Sequence, residues 1–264
     1  MIPDSPALPG RRALRVLVGL VGAHVAGAGL LAAQFAVSPV IVQLAHDPTG
    51  TATLLRIDNE GEDVMQFRVY AADFDQDRDG EHHFAAAGTL RRSCAERLRF
   101  APDALTVPAG SGAVVRVSLD PSADPTCWAM LFVEAPSAGT GAIRVNQRIG
   151  VKIYGLGAQR GADGELVGAT VQPAGDSVEV AFTFRNPGDW PLRPSGAVEI
   201  RDAGGSVVTT ATVPAFSVLP GHERLLRVSL PLESARPGRY VAVPILDFGA
   251  DYLAGAQADF RIEE

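Results

Sequence analysis

The chain has 264 residues and a formal net charge of −7, so it lacks the broad basic footprint that nucleic-acid binding needs. Its 28 glycines and 19 prolines stand against 11 phenylalanines, 4 tyrosines and 2 tryptophans, a balance that favours short strands and turns over long helices. An acidic surface of this size is mainly a statement about solubility.

The N terminus reads as a secretory leader. Arg11, Arg12 and Arg15 precede an apolar run from Val16 to Ala33 that is rich in glycine and alanine, the order of a segment removed on export. An uncleaved anchor is the alternative, because about 18 mostly apolar residues just span a bilayer. No later stretch is apolar enough to cross, so no membrane span is expected once the leader is gone. We expect residues 1–35 to be the leader, with no small-residue site that marks the cut. The expected location is the periplasm, with the cell surface or a membrane anchor as alternatives.

From Phe35 onward the pattern is that of strands. Val40, Val42 and Leu44 alternate in the first, and Thr51 to Asn59 follows a Pro-Thr-Gly turn. In Asp63 to Asp73, Met65, Phe67, Val69 and Ala71 alternate with Gln66, Arg68, Tyr70 and Ala72, the period of two of a half-buried strand. A polar excursion, Asp75 to His83, follows. Two short strands then flank Pro102, and Val115, Val117 and Leu119 alternate with Arg116 and Ser118. The dense apolar run Cys127 to Pro136 reads as central in a sheet. Next, Ile143, Val145, Gln147, Ile149 and Val151 share one face, with Arg144, Asn146, Arg148, Gly150 and Lys152 on the other. Seven or so strands at this spacing describe a β-sandwich over residues 36–155. Residues 156–164 are small and polar and read as a linker, and a second series of about seven strands fills residues 165–264.

The phrase "LTVPAGSGAVVRVSL" (Leu105 to Leu119) is echoed by "FSVLPGHERLLRVSL" (Phe216 to Leu230). Each half also carries an Asn-x-Gly turn earlier, at Asn59 and at Asn186. Proline presets φ and glycine relieves the turn, so geometry alone can generate such a phrase. The matched order of turns points to one kind of Greek-key sandwich built twice. The expected fold is therefore all-β, two tandem immunoglobulin-like Greek-key β-sandwiches.

Cys94 and Cys127 form an even pair in an exported chain, a candidate disulfide, against the reading of two unrelated thiols. Asp75, Asp77, Asp79 and Gly80 match the first positions of a calcium-binding loop, but Ala86 stands where a bidentate glutamate belongs. We therefore expect an ordinary acidic turn, with no metal and no other cofactor. His82 and His83 point to opposite sides of a strand and make a poor ligand pair. No His-Glu-x-x-His, Gly-x-Ser-x-Gly or phosphate-cradling loop is present, so no catalytic residue is assigned and no enzyme is expected. Trp128 reads as a core residue near the disulfide, and Trp190, between two prolines, as packing at the junction of the halves.

The first half resembles the N-terminal domain of periplasmic pilus-assembly chaperones, and more closely their chaperone-like relatives of unassigned role. The residues that carry this are Val37-Ser38-Pro39, "LLRIDNEGEDVMQFRVYAADF", "LRFAPDALTVPAGSGAVVRVSL", "CWAMLFVE" and "IRVNQRIGVKIY". The second half is similar to immunoglobulin-like modules that follow such domains in those relatives. The resemblance implies that the strand Ile143 to Val151 pairs with an exported, pilin-like subunit, presenting Ile143, Val145, Ile149 and Val151. The alternative is that these side chains face their own core. The resemblance also implies two cleft cations that hold a carboxylate, one from the first strand and one from this last strand. The family's lysine falls at Gly150, and the first-strand position, near Ile41, has no arginine; Arg148 and Lys152 are the nearest substitutes. The expected function is a periplasmic chaperone-like or assembly factor acting by strand addition, with a structural or adhesive surface component as the alternative.

Overall fold

A computed structural model describes residues 34–45, 52–120, 126–136, 146–157, 161–232 and 235–263. The segment expected to be a leader lies outside the described residues up to residue 33. The described chain is all-β apart from one short turn of 3-10 helix at Ala95–Arg97. The first half comprises β1 (Phe35–Ser38), β2 (Ile41–Ala45), β3 (Thr53–Asn59), β4 (Met65–Gln76), β5 (His82–Ala85), β6 (Leu98–Ala101), β7 (Ala104–Val107), β8 (Gly112–Leu119), β9 (Cys127–Ala135) and β10 (Gln147–Leu156). The second comprises β11 (Glu165–Ala174), β12 (Ser177–Arg185), β13 (Ser195–Asp202), β14 (Val207–Val213), β15 (Glu223–Pro231), β16 (Gly238–Asp247), β17 (Ala254–Gly255) and β18 (Ala258–Ile262).

In the first half a four-stranded sheet, β1-β3-β8-β6, faces a six-stranded sheet, β2-β10-β9-β4-β5 with β7 also on β4. The chain leaves one sheet after Ser38 and enters the other at Ile41, so the opening segment serves both layers. Alternation then sorts the side chains. Leu55, Ile57, Val115 and Val117 meet Leu131, Val133, Val151 and Ile153, all fully buried. Each contributes about 1.5–3 kcal/mol by leaving water. Phe35, the last residue of the expected leader, is buried too and sits edge-on to Phe67 at 5.0 Å, so it belongs to the folded core. The dense run from Cys127 is β9, central in its sheet between β10 and β4; one face lies in the first core and the other packs with Phe74, Tyr154 and Leu219, which is why both faces are apolar.

Cys94 and Cys127 are joined by a disulfide inside this core, which decides between the two readings of the pair. Gly155 lies against it: a Cβ there would stand 2.8 Å from Cys127 Sγ and 2.5 Å from a Leu119 methyl. Trp128 does not pack with the bond. As the next residue in β9 it faces the opposite side, donating its indole N–H to the Phe74 carbonyl at 2.9 Å.

The second half pairs a three-stranded sheet, β11-β12-β15, with a five-stranded one, β14-β13-β16-β17 with β18 also on β16. The repeated phrase proves to be a shared device. Buried Asn59 gives its amide N–H groups to the carbonyls of Asp63 (2.8 Å) and Val107 (2.9 Å) and accepts from Gly61 N–H at 3.0 Å. Buried Asn186 does the same with Trp190 (2.7 Å), Val218 (3.1 Å) and Gly188 (3.1 Å). Each asparagine thus ties its own turn to the proline–glycine turn that precedes the Arg-Val-Ser-Leu strand. Gly110 and Gly221 in those turns both take positive φ, 63° and 76°.

Asp75 to His83 is, as expected, an acidic turn between strands. β4 runs through to Gln76 and β5 starts at His82, so the acidic stretch is a hairpin tip. Its backbone is held from outside: Leu225 N–H donates to the Arg78 carbonyl at 2.8 Å, and the Arg78 guanidinium reaches Thr183 at 2.9 Å.

Candidate functional site

Directly opposed residues share a face, so the register defines the outer surface of the six-stranded sheet. Gly150, Phe132 and Tyr70 stand in one row; Lys152, Met130 and Ala72 in the next; Tyr154 and Trp128 in the third. The second half covers one end of this surface, where Leu219 and Trp190 pack on Trp128, Tyr154 and Leu156. Trp190 also packs on the second core, which makes it a junction residue as expected. His222 Nε2 meets Asp75 Oδ1 at 2.6 Å, and Arg92 pairs with Asp189. Toward the other end the surface is an aromatic and cationic row. Arg148 lies over Phe132 (4.6 Å) and Phe84 (5.6 Å), and Phe84 meets Phe132 at 5.1 Å.

β10 is paired unequally. β9 accompanies it from Gln147 to Gly155, whereas β2 runs beside it only from Lys152 to Leu156. Lys152 N–H donates to the Val40 carbonyl at 2.9 Å, so residue 152 points its backbone polar groups toward the β2 side. By the alternation of a strand, Gly150 and Arg148 point theirs the same way. Among the described residues no strand takes them up. Five residues, Gln147 to Val151, therefore present an open edge about 16 Å long.

Where the open edge ends, a basic cleft begins. Lys152 is the only lysine in a chain with 22 arginines. Its Nζ lies 3.5 Å from Ser217 Oγ, and the Arg224 guanidinium lies 3.4 Å from the carbonyl of the same serine. Burial first, then the charges of Arg224 and Arg193, press the Lys152 ammonium below its ordinary value. Burial lowers His82 as well, aided by Lys152 and Arg224 and opposed by Asp77. Burial pushes the Tyr154 phenol up to about 12, although its hydrogen bond to Ser217 acts the other way. Among the described residues no carboxylate forms an ion pair with Lys152, Arg193 or Arg224.

Ile143 and Val145 lie outside the described residues. Val151 is fully buried in the first core and Ile149 packs against it, so at these two places the strand turns its aliphatic side chains to its own sandwich. What the edge offers there is backbone. Arg148 belongs to the aromatic row and Lys152 to the cleft. The structure sets Lys152, not Gly150, beside Ile41. A side chain at 150 would collide with Met130, whose sulfur lies 2.7 Å from the position of a Cβ.

Asp75, Asp77 and Asp79 do not converge. Asp75 faces His222, Asp77 accepts the Glu81 amide and meets His83 at 3.2 Å, and Asp79 reaches Arg227 at 3.5 Å. His82 and His83 do point apart, the first tilted against Phe74 and stacked on Phe84. Sequence reasoning missed Arg193 and Arg224. Both are ordinary-looking arginines, and only the packing of one sandwich on the other brings them to Lys152.

No protein-family model and no curated protein matches the chain. Solved structures with a similar backbone course include a chain of the chaperone–tip adhesin complex of CFA/I fimbriae, at 12% identity and TM-score 0.49, covering 86% of this chain and 98% of that one. A chain of the CsuC–CsuE pre-assembly complex from archaic Csu pili of Acinetobacter baumannii matches at 12% identity and TM-score 0.49, over 85% and 98% of the two chains. The class 5 fimbriae chaperone CfaA matches at 12% and 0.48, over 85% and 98%. These structures come from the family that the sequence motifs resemble. At such identity they assign no activity to this chain.

Proposed function

We propose that the protein is a periplasmic chaperone-like or assembly factor that binds an extended segment of another exported polypeptide by strand addition along Gln147 to Val151. The observation that carries this reading is the open backbone edge of β10, where Arg148 and Gly150 direct N–H and C=O groups away from β9 with no partner among the described residues. Exposed edges invite pairing and are commonly blunted or covered. This one lies between a short companion strand and a cleft. Strand addition draws affinity from main-chain bonds and needs no catalytic group. The aliphatic face of β10 is occupied by its own core, so selectivity falls to the outer face, where Arg148, Phe84 and Phe132 stand beside the path of an incoming strand.

The test is a proline at the edge. Arg148→Pro removes a donor that faces outward, and proline is tolerated on such an edge because the ladder to β9 does not use that N–H. Arg148→Ala controls for the lost side chain. With an extended peptide of about ten residues alternating valine and threonine as probe, Arg148→Pro is expected to weaken binding at least about tenfold and Arg148→Ala about threefold or less. Native-like binding by a folded Arg148→Pro chain refutes strand addition at β10. A chain that stays with the outer surface of the cell and binds no such peptide favours the structural or adhesive role instead.

A further inference from the structure

The tip of the β4–β5 hairpin reaches across to the second sandwich. Leu225 N–H donates to the Arg78 carbonyl at 2.8 Å, Arg224 reaches the Asp79 carbonyl at 3.2 Å, and Arg227 meets the Asp79 carboxylate at 3.5 Å. Gly80 leaves room for the Arg224 guanidinium, whose carbon lies 2.0 Å from where a Cβ would stand. His82 forms the last rung of this hairpin, opposite Gln76, with its ring against Phe74 and Phe84. Its Nε2 is buried and has no hydrogen-bond partner among the described residues. An imidazolium carries a hydrogen on both nitrogens, so a proton gained here leaves a buried N–H without an acceptor.

The surrounding charges act in the same direction. Lys152 of β10 and Arg224 of β15 face the ring as cations, and Asp77 and His83 face it from its own hairpin. Burial first, then Lys152 and Arg224, hold the ring below its ordinary value, against the pull of Asp77. We propose that His82 is a proton-sensitive latch: a proton gained there drives the hairpin tip off β15 and opens the junction beside the cleft. The closed junction keeps its full stability while the ring is neutral, above the ordinary histidine value of about 6.5, and loses it as pH falls below that value. His222 and His83 act the other way, since a proton on either meets a carboxylate, Asp75 at 2.6 Å or Asp77 at 3.2 Å. Among the described histidines, only His82 gains its proton beside two cations with a nitrogen that has no acceptor. The latch needs no client, so it stands whether or not β10 adds a strand.

The test is amide hydrogen exchange in the full chain, followed by NMR at Leu225, whose N–H closes the contact to Arg78. Rates are divided by those of an unstructured chain at the same pH, which removes the intrinsic pH dependence. The range runs from about pH 7.5 to about pH 5, where carboxylates, which titrate at about 4, stay ionised. In the native chain the protection of Leu225 is expected to fall at least about threefold across this range, while Leu131, in the middle of β9, holds steady. Neither His82→Gln nor His82→Phe takes up a proton, and either should keep Leu225 protected throughout. His222→Gln should leave the fall in place, because it removes a contact that opposes release. Constant protection in the native chain overturns the latch, and so does an equal fall in His82→Gln and His82→Phe. A fall shared in proportion by Leu131 overturns it too, since the loss then belongs to the whole fold rather than to the junction.

Discussion

Asn186→Ala should unsettle the second sandwich and the cleft together, and its size follows from the bonds that are lost. Asn186 is fully buried and makes three hydrogen bonds, to the carbonyls of Trp190 and Val218 and from the Gly188 amide, at 2.7, 3.1 and 3.1 Å. Each bond contributes about 1 kcal/mol net, and buried partners left alone cost more, so the loss should be about 3 kcal/mol. For a chain of this size, that corresponds to a fall in Tm of roughly 6–12 °C. The backbone of Asn186 also accepts from Gly221 and donates to the His222 carbonyl, so loosening this residue frees the turn that carries His222 to Asp75. Urea unfolding followed by tryptophan fluorescence measures the loss, with Trp190 a direct reporter. Asn186→Asp keeps the acceptor for Gly188 but turns a second oxygen on two carbonyls, and should be no better than alanine. Asn59→Ala, which removes the matching three bonds, should cost the same within about twofold. A loss below about 1 kcal/mol for Asn186→Ala, or no effect at Asn59 alone, would refute the claim that these asparagines are the equivalent ties of two like sandwiches.

Gly80→Ala should destabilise the chain by about 1–2 kcal/mol, because φ is +91° and the new Cβ would lie 2.0 Å from the Arg224 guanidinium carbon. Melting measures the cost, and displacement of the Arg224 Nε–H resonance shows whether the hairpin tip positions that arginine. The Tyr154 phenol, held up to about 12, is neutral in the fold after it would ionise in the unfolded chain, so its contribution is intact below pH 10 and falls as pH rises from about 10 to 12. Unfolding curves across that window should show the decline in the native chain and a shallower one in Tyr154→Phe. Lys152 has the opposite sign: its lowered value penalises folding while the ammonium is charged, and the penalty fades as pH rises toward its ordinary value. Lys152→Met should therefore leave Tm unchanged or raise it, and a fall of more than a few degrees would contradict the unpaired-charge account.

Alternation of apolar residues was sufficient to place most strands, because each half-buried strand writes its two faces into sequence; β4 and β8 are examples, whereas β9 showed as an unbroken apolar run. The doubled turn phrase was legible for the same local reason, although the asparagine that binds its two parts acts across 48 residues in one half and 32 in the other. The acidic turn at Asp75 to His83 was legible but its anchorage was not, because its partners, Leu225 and Thr183, lie in the other sandwich. Trp128 was expected beside the disulfide from adjacency in sequence, whereas a strand sends neighbours to opposite faces. The candidate site was half visible. Lys152 and the last strand of the first sandwich stood out, but an open edge is a property of what fails to pair, and periodicity cannot report that. Arg224 is the second residue of a strand whose outward residues are otherwise unremarkable, and nothing local to it marks a cleft.

The lone lysine makes physical sense only in such a place. Around it the chain uses arginine for every other permanent cation, 22 times, and arginine keeps its charge under all ordinary conditions. Arg224 and Arg193 already bring two such charges to the cleft, and burial weakens the screening by water. A third guanidinium would hold its full charge against them. An ammonium yields more readily, and burial with its two arginine neighbours already lowers it from its ordinary value. Lysine is thus the cation that costs least to bury beside two guanidiniums, at the point where β2 takes up the edge of β10.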